Sequence, residues 1–490
     1  MNRSNIWIHI GLAVVLVSFA AVLGRIDRMA SSLKTERQQD VERVRRTNDD
    51  YQPRANTVPP EVLVRFKKGT TLEQIREIAF KNNDRVDDEI EAVNGLVVID
   101  DLDDADAEAV AKQYSALSNV EYAEANITIT LDEPIQKDAP RDLVYRDAQP
   151  NQPNDPNFAE QWALNNLGQN GGTERADIDA LKAWQVSKGS PDVVVAVLDS
   201  GVDYRHADLA DNIWTRPDNV PRYYDDELGS IEDTHGFDGT LIDGGPAAFE
   251  KGMGTLQSDP MDDNGHGTHC AGIIGAVGNN GIGVAGVNWN VKIMPLKFLG
   301  RGGTGSTEKA IEAINYAIDR KKAGVNIRVI SASWGSTTNS RALKDTIKAA
   351  GDAGILFVAA AGNDGSNTDT WPHYPSSYKL PNLISVAAVD RNDALTSFSN
   401  FGVKTVDLAA PGKDILSTWL GDDYREISGT SMATPFVSGV AALLISQSPN
   451  ISVKELRKKL LDSVDKRDDL KGKVATGGTL CAANALGVED

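Results

Sequence analysis

The sequence predicts an α/β domain with a mostly parallel sheet over residues 154–490, preceded by a small α+β module over residues 58–131. Three observations carry this. First, the apolar runs "DVVVAVLD", "VKIMPLKFL", "IRVISASW", "ILFVAAAGN" and "LISVAAVD" recur down the second half, as strands buried on both faces do. Second, "STEKAIEAINYAIDRKKAG" and "SRALKDTIKAAGDAG" lie among them, amphipathic helices that end at Gly. Third, the upstream module reads strand, helix, strand, helix, strand: "EVLVRFK", "TLEQIREIAFKNN", "GLVVID", "DAEAVAKQYSALS" and "VEYAEANITITL".

The remaining segments frame these two units. Residues 5–24, "NIWIHIGLAVVLVSFAAVLG", follow a short basic start and are apolar enough to act as a signal peptide or a membrane anchor, assigned to residues 1–30. Residues 31–57 are charged and polar and read as a linker; residues 132–153 hold four prolines and read as an exposed connector. Residues 238–262 read as a long surface loop. With 70 Asp+Glu against 50 Lys+Arg, the net charge of −20 argues against nucleic acid as a partner, since phosphate binding needs clustered Lys and Arg. Two cysteines, Cys270 and Cys481, build no disulfide framework.

Chemistry gathers at the carboxyl ends of the strands, where open α/β sheets bind ligands. Asp199 closes "VVVAVLD", and Asn363 closes "VAAAGN". His266 and His269 sit in the Gly-flanked "NGHGTHCAG", and Ser431 opens the helix "MATPFVSGVAALLISQ". Singly, each has a plain structural role: a turn Asp, a core His, a turn Asn, an N-cap Ser. Together they supply a nucleophile, a base, a group to orient the base and an oxyanion donor. "HGTH" lacks the glutamate of a HExxH zinc motif.

"VLDSGVD", "NGHGTHCAG" and "SGTSMATP" resemble the three signature boxes of the subtilases, the subtilisin-like serine proteases, in the family's Asp, His, Ser order. The resemblance covers most of residues 154–485 and looks closest to the thermitase-like and proteinase K-like branches. It implies a three-layer subtilisin-like domain behind a ferredoxin-like prodomain that serves as chaperone and inhibitor. It makes Asp199, His266 and Ser431 the triad, Asn363 the oxyanion donor, and His269 a structural residue. The implied activity is that of an exported serine endopeptidase, a monomer, secreted or anchored through residues 5–24, that cuts its own prosegment within about residues 131–153. A peptide ligase or cyclase, or a dedicated processing protease, is the alternative on the same scaffold.

Other positions follow from the same resemblance. Gly303, Thr304 and Gly305 on one side, and Ser333, Trp334 and Gly335 on the other, are expected to flank bound peptide as added strands. Ala361 and Gly362 are expected to wall the primary specificity pocket. His373 stands at its base, where many relatives have Gly, Ser or Asn, and so admits acidic or polar side chains. The Tyr374-Pro375 bond is expected to be cis. A calcium site is expected from Asp155, Asp208 and Asn280, with backbone carbonyls near Val277, Ile282 and Val284; Asp238 and Asp259 offer a weaker second one. Cys270 is a small buried hydrophobe, or a thiol that makes the site sensitive to mercurials.

Overall fold

A computed structural model of the chain describes residues 60–103, 105–131, 135–136, 152–225, 229–240 and 256–488. The leader, the charged linker, most of the proline-rich connector and residues 241–255 of the long loop lie outside them. Among the described residues no helix is long and apolar enough to cross a membrane. The small module and the large domain fall within one compact unit, Pro59–Asp490.

The module is a four-stranded antiparallel sheet with two helices. In chain order it runs Glu61–Phe66, helix Leu72–Lys81, Asp84–Glu89, Leu96–Asp101, helix Ala107–Ser115, Val120–Ala125. The strand Asp84–Glu89, "DRVDDE", is an addition to the sequence reading. It lies at one edge of the sheet, so its charged residues gave no strand pattern. Val62, Val64, Val97 and Ile99 pack one face of the sheet on Ile75, Val110 and Tyr114 of the helices. Each helix starts at a side-chain cap, Thr71 and Asp106.

The large domain is built on a sheet ordered Phe237–Asp238, Asn290–Lys297, Gly189–Asp199, Ile327–Ala332, Leu356–Ala360, Leu383–Val389, Leu408–Pro411, Gly478–Thr479, Asp465–Lys466. Neighbours are parallel except the last pair. The central strand shows why its sequence is apolar throughout. Val193, Val195 and Val197 face one core, shared with the buried helix that starts at Thr430. Val194, Ala196 and Leu198 face the other, shared with the helices Thr307–Lys322 and Arg341–Asp352. The result is three layers, helix on sheet on helix. The chain leaves Asp199 toward one neighbouring strand, Asn290–Lys297, and returns on the other side as Ile327–Ala332. Asp199 therefore stands at a point where the strand order reverses.

The module sits on the helix layer through charge and capping. Asn126 Oδ1 accepts from Glu308 N at 3.1 Å, at the start of the Thr307–Lys322 helix. Glu124 accepts from Arg341 N at 2.9 Å and Ala342 N at 3.1 Å, at the start of the next. Free N–H groups and the positive dipole end of each helix thus meet an oxygen of the module. Beyond it, Thr128–Thr130 leaves the module as a separate strand.

Candidate active site

Asp199 and His266 are brought together by backbone geometry. Gly265, at φ +104°, turns the chain into the helix His266–Gly275, so His266 is its first residue. Gly267 then lies so close to the Asp199 strand that a Cβ there would stand 2.1 Å from the Gly201 carbonyl oxygen. With the helix pressed in, His266 Nδ1 donates to Asp199 Oδ1 at 2.8 Å, with both residues buried. A base whose Nδ1 carries the proton presents Nε2 as its acceptor.

A second layer that the sequence reading missed holds this pair. Asp262 is buried and accepts from Asn264 N, Gly265 N, Thr268 N, Thr268 Oγ1 and Ser200 Oγ. Ser200 Oγ accepts in turn from Gly267 N at 3.0 Å. The strand end is thereby tied to the first turn of the histidine helix. In "SDPMDDNGHG" nothing marks Asp262 apart from its neighbours; its role is set by the fold.

Ser431 is the second residue of the helix Thr430–Gln447, which is buried nearly throughout. Its Oγ donates to the Ser333 carbonyl at 3.0 Å. Asn363 is oriented by the same helix start: its Oδ1 accepts from Thr430 N at 2.8 Å and Thr430 Oγ1 at 3.0 Å. Those donors fix which end of the amide is oxygen, so the NH₂ faces away from Thr430. His269 lies one helical turn from His266 with a different role. Its Nε2 donates to the Ile415 and Arg425 carbonyls, and burial pulls it down to about 3, so it stays neutral.

The flanking segments meet the chain's own upstream strand. Thr304–Ser306 pairs antiparallel with Thr128–Thr130, and Leu131 N donates to Gly303 O at 2.8 Å. Thr130 also bridges to Gly335 on the opposite side. Thus Gly303, Thr304, Gly305 and Gly335 line a slot with a strand in it. Trp334 precedes Gly335 in that wall, while its indole is buried, bonded to the Leu198 carbonyl and tilted at 59° against Phe298. Ala361 likewise turns its methyl into the core beside Ala387 and Val406. Gly362, at φ +98°, donates its N–H to Thr430 Oγ1 at 3.1 Å. The imidazole of His373 packs between Gly335 and Gly362, and the Tyr374-Pro375 bond is cis.

The expected calcium residues also converge. Asp155 accepts from Asn279 N and Asn280 N, and Asp208 from Asn280 Nδ2, Val284 N and the Tyr424 hydroxyl. Val277 N donates to the Asp208 carbonyl, and Ile282 N to Asn280 Oδ1. Burial raises both carboxyls, Asp155 to about 6, with Asp208 adding to the effect on Asp155. Two buried carboxylates beside the Asn280 amide are oxygen donors of the kind a hard cation such as calcium takes, while the bonds that Val277, Ile282 and Val284 make here come from their N–H groups and not from the expected carbonyls. Asp238 and Asp259 are bonded instead to Thr240 and to Tyr204 and Met261. Both cysteines are free and buried; Cys270 Sγ donates to the Ser431 carbonyl at 3.5 Å, and burial pushes its thiol well up. That environment favours the packing role over a reactive one.

Residues 190–477 match the family model for the subtilase family, and residues 47–126 match that for the fervidolysin N-terminal prodomain. The chain is 34% identical over 416 residues to a thermophilic serine proteinase of Bacillus sp. (strain AK1), covering 84% of this chain and 83% of that one. It is 36% identical over 317 residues to thermitase of Thermoactinomyces vulgaris, covering 64% of this chain and 92% of that one. Among solved structures, a protease from Pseudoalteromonas arctica PAMC 21717 aligns with a TM-score of 0.54 at 30% identity, over 69% of this chain and 99% of that one.

Proposed function

The chain belongs to the subtilase family of serine proteases and carries a fervidolysin-like prodomain, and from that premise we propose a mechanism in which Ser431 attacks the scissile carbonyl of a protein substrate. His266 takes the proton from Ser431 Oγ and gives it to the leaving amine. Asp199 holds the imidazole in the right tautomer and stabilises the imidazolium. The observation that carries this reading is the 2.8 Å bond between His266 Nδ1 and Asp199 Oδ1 at the buried strand end. Before attack the Ser431 hydroxyl must leave the Ser333 carbonyl for the imidazole. The oxyanion then forms beside the Asn363 NH₂ and the Ser431 N–H, at a helix N-terminus whose dipole favours negative charge.

The same reading makes the module an intramolecular inhibitor. Thr128–Thr130 occupies the slot as a strand, the mode in which an extended substrate binds through its main chain. Farther along, Ile135–Gln136 pairs with Ile427 and Ser428, just ahead of Ser431. We place the self-processing bond between Leu131 and Ile135, inside the connector. An acidic side chain at that bond suits the His373 pocket. Calcium, held by Asp155, Asp208 and Asn280, would tie the start of the mature domain to its core, its charge compensating the two buried carboxylates. The enzyme acts outside the cytoplasm, secreted or held by residues 5–24.

The deciding experiment is full-length Ser431→Ala produced in a protease-deficient host. It is expected to accumulate uncut and to take up no fluorophosphonate probe, while the unmutated chain matures and is labelled at Ser431. Normal maturation of Ser431→Ala would remove self-processing, and labelling elsewhere would remove the nucleophile assignment.

A further inference from the structure

Where the prodomain meets the large domain, acid faces acid. The helix Thr307–Lys322 turns Glu308, Glu312 and Asn315, one turn apart in succession, toward the module. Asn315 Oδ1 accepts from Ala92 N at 3.0 Å, and Glu308 lies 3.5 Å from the Asn126 amide. Against Glu312 stands Asp88, from the module's edge strand Asp84–Glu89, and beside both stands Asp225, from the strand Tyr223–Asp225. All three carboxyls are buried, and one oxygen from each lies within 4.8 Å of the other two. Among the described residues no N–H or hydroxyl donor reaches either oxygen of Glu312, although only 2% of the residue is exposed, and its close polar neighbour is the Asp88 carboxyl. The Tyr223 hydroxyl, on the same short strand as Asp225, is likewise buried without one.

Such a cluster needs a counter-charge. Burial, with Asp225 and Glu91 near, pushes Asp88 up to about 7. Burial and the Asp88 charge hold Glu312 well above the usual carboxylate range. A bound dication inverts this situation, because its charge makes deprotonated oxygens the favoured ligands.

We propose that Asp88, Asp225 and Glu312 hold a divalent cation that clamps the prodomain to the catalytic domain. The donors are all oxygen, which selects a hard ion, and calcium tolerates the irregular geometry of three carboxylates drawn from two folding units. The site is separate from Asp155 and Asp208, which lie beside the loop 277–284. Its ligands come from both sides of the bond that self-processing cuts. A processed enzyme that sheds the module therefore sheds Asp88 and keeps an incomplete site. Calcium then prolongs inhibition by the prodomain, a consequence that rests on the inhibitor reading above, whereas the binding itself does not.

The test counts bound calcium on the uncut full-length Ser431→Ala chain by equilibrium dialysis, at about 10 mM free calcium, roughly ten times the weakest dissociation constant of extracellular modules. Glu312→Gln and Asp88→Asn, each added to that chain, are expected to bind one calcium fewer per chain. Asp155→Asn is expected to lose a different one, so that Asp155→Asn with Glu312→Gln loses two. Unchanged stoichiometry in both Glu312→Gln and Asp88→Asn overturns the site and leaves shared protons as the counter-charge. Circular dichroism checks each variant. Should Glu312→Gln fail to fold, Asp88→Asn decides, since it leaves the catalytic domain intact. If Ser431→Ala is processed normally, the self-processing reading falls, and the calcium count is then made on the purified complex that still holds the cut module.

Discussion

Ser333 Oγ donates to the Ser431 carbonyl at 2.8 Å, a bond the helix itself cannot supply because Pro435 stands four residues on and has no N–H. The helix carrying the nucleophile is thus anchored from the neighbouring strand end. Cys270 Sγ offers only a weak second donor at 3.5 Å. Ser333→Ala is expected to destabilise the enzyme by about 1–3 kcal/mol, the cost of an unsatisfied buried carbonyl, and to lower kcat. Pro435→Ala restores an N–H at the right helical spacing. The double variant should therefore lose less than the sum of the two single losses. Strict additivity of melting and kcat effects would remove the anchoring role.

Asn363 offers a cleaner kinetic test. Its amide is turned by Thr430, so its replacement takes away the proposed oxyanion donor without touching the proposed triad. Asn363→Ala is expected to lower kcat by about 10²–10³ while KM changes little. Single-turnover acylation should slow by the same factor. An equal loss in substrate binding would show that the amide holds the ground state and not the transition state.

In the proposed calcium site, calcium and protons compete at Asp155. Burial raises this carboxyl from 3.8 to about 6. Without calcium, a raised carboxyl favours the folded state fully below its unfolded value, and that contribution is lost as pH rises through about 6. With calcium the slope reverses, because the ligand must be deprotonated. Chelator-treated enzyme is therefore expected to lose Tm as pH climbs from about 4 to about 6, while calcium-loaded enzyme gains it. Asp155→Asn should flatten both trends. Identical Tm profiles with calcium and with chelator would exclude the site.

Much of this site is visible in the chain before folding, and its blind spots have physical causes. Asp199 and Asn363 sit where an apolar run ends, and His266 and Ser431 where one begins, so local pattern marks them. The Asp84–Glu89 strand and Asp262 do not show, because their place depends on neighbours far along the chain. Trp334, expected in a peptide-flanking strand, and Ala361, expected at the pocket wall, both turn their side chains to the core. Alternation along a strand decides that, and a one-residue step changes the face. The register of Thr128–Thr130 between Thr304–Ser306 and Gly335 is also long-range.

That register leads to a prediction about specificity. The His373 ring lies where a Cβ on Gly335 would come within 2.0 Å of its Cε1, and one on Gly362 within 3.0 Å of its Nε2. It thus floors the gap between the two segments that border Ser431 and Asn363. Its Nδ1 lies 3.4 Å from Ser376 Oγ, whose proton goes to the His373 carbonyl at 2.8 Å. The hydroxyl is left to accept from Nδ1–H, which turns Nε2 toward the glycines. An imidazole so placed shares a proton with a carboxyl group and offers little to a large apolar side chain. Asp132, the next residue in the chain after Leu131 and outside the described residues, is predicted to offer the carbonyl to be attacked. The mature enzyme is accordingly expected to begin at Glu133 when first released. Asp132→Leu should slow processing at least tenfold in the unmutated enzyme, and His373→Gly should restore it. Peptide profiling should show the same exchange in trans, acidic residues before the cut giving way to large apolar ones in His373→Gly. An N-terminus outside residues 132–135, or equal processing of Asp132→Leu with and without His373, would break the link between this ring and the bond the enzyme cuts.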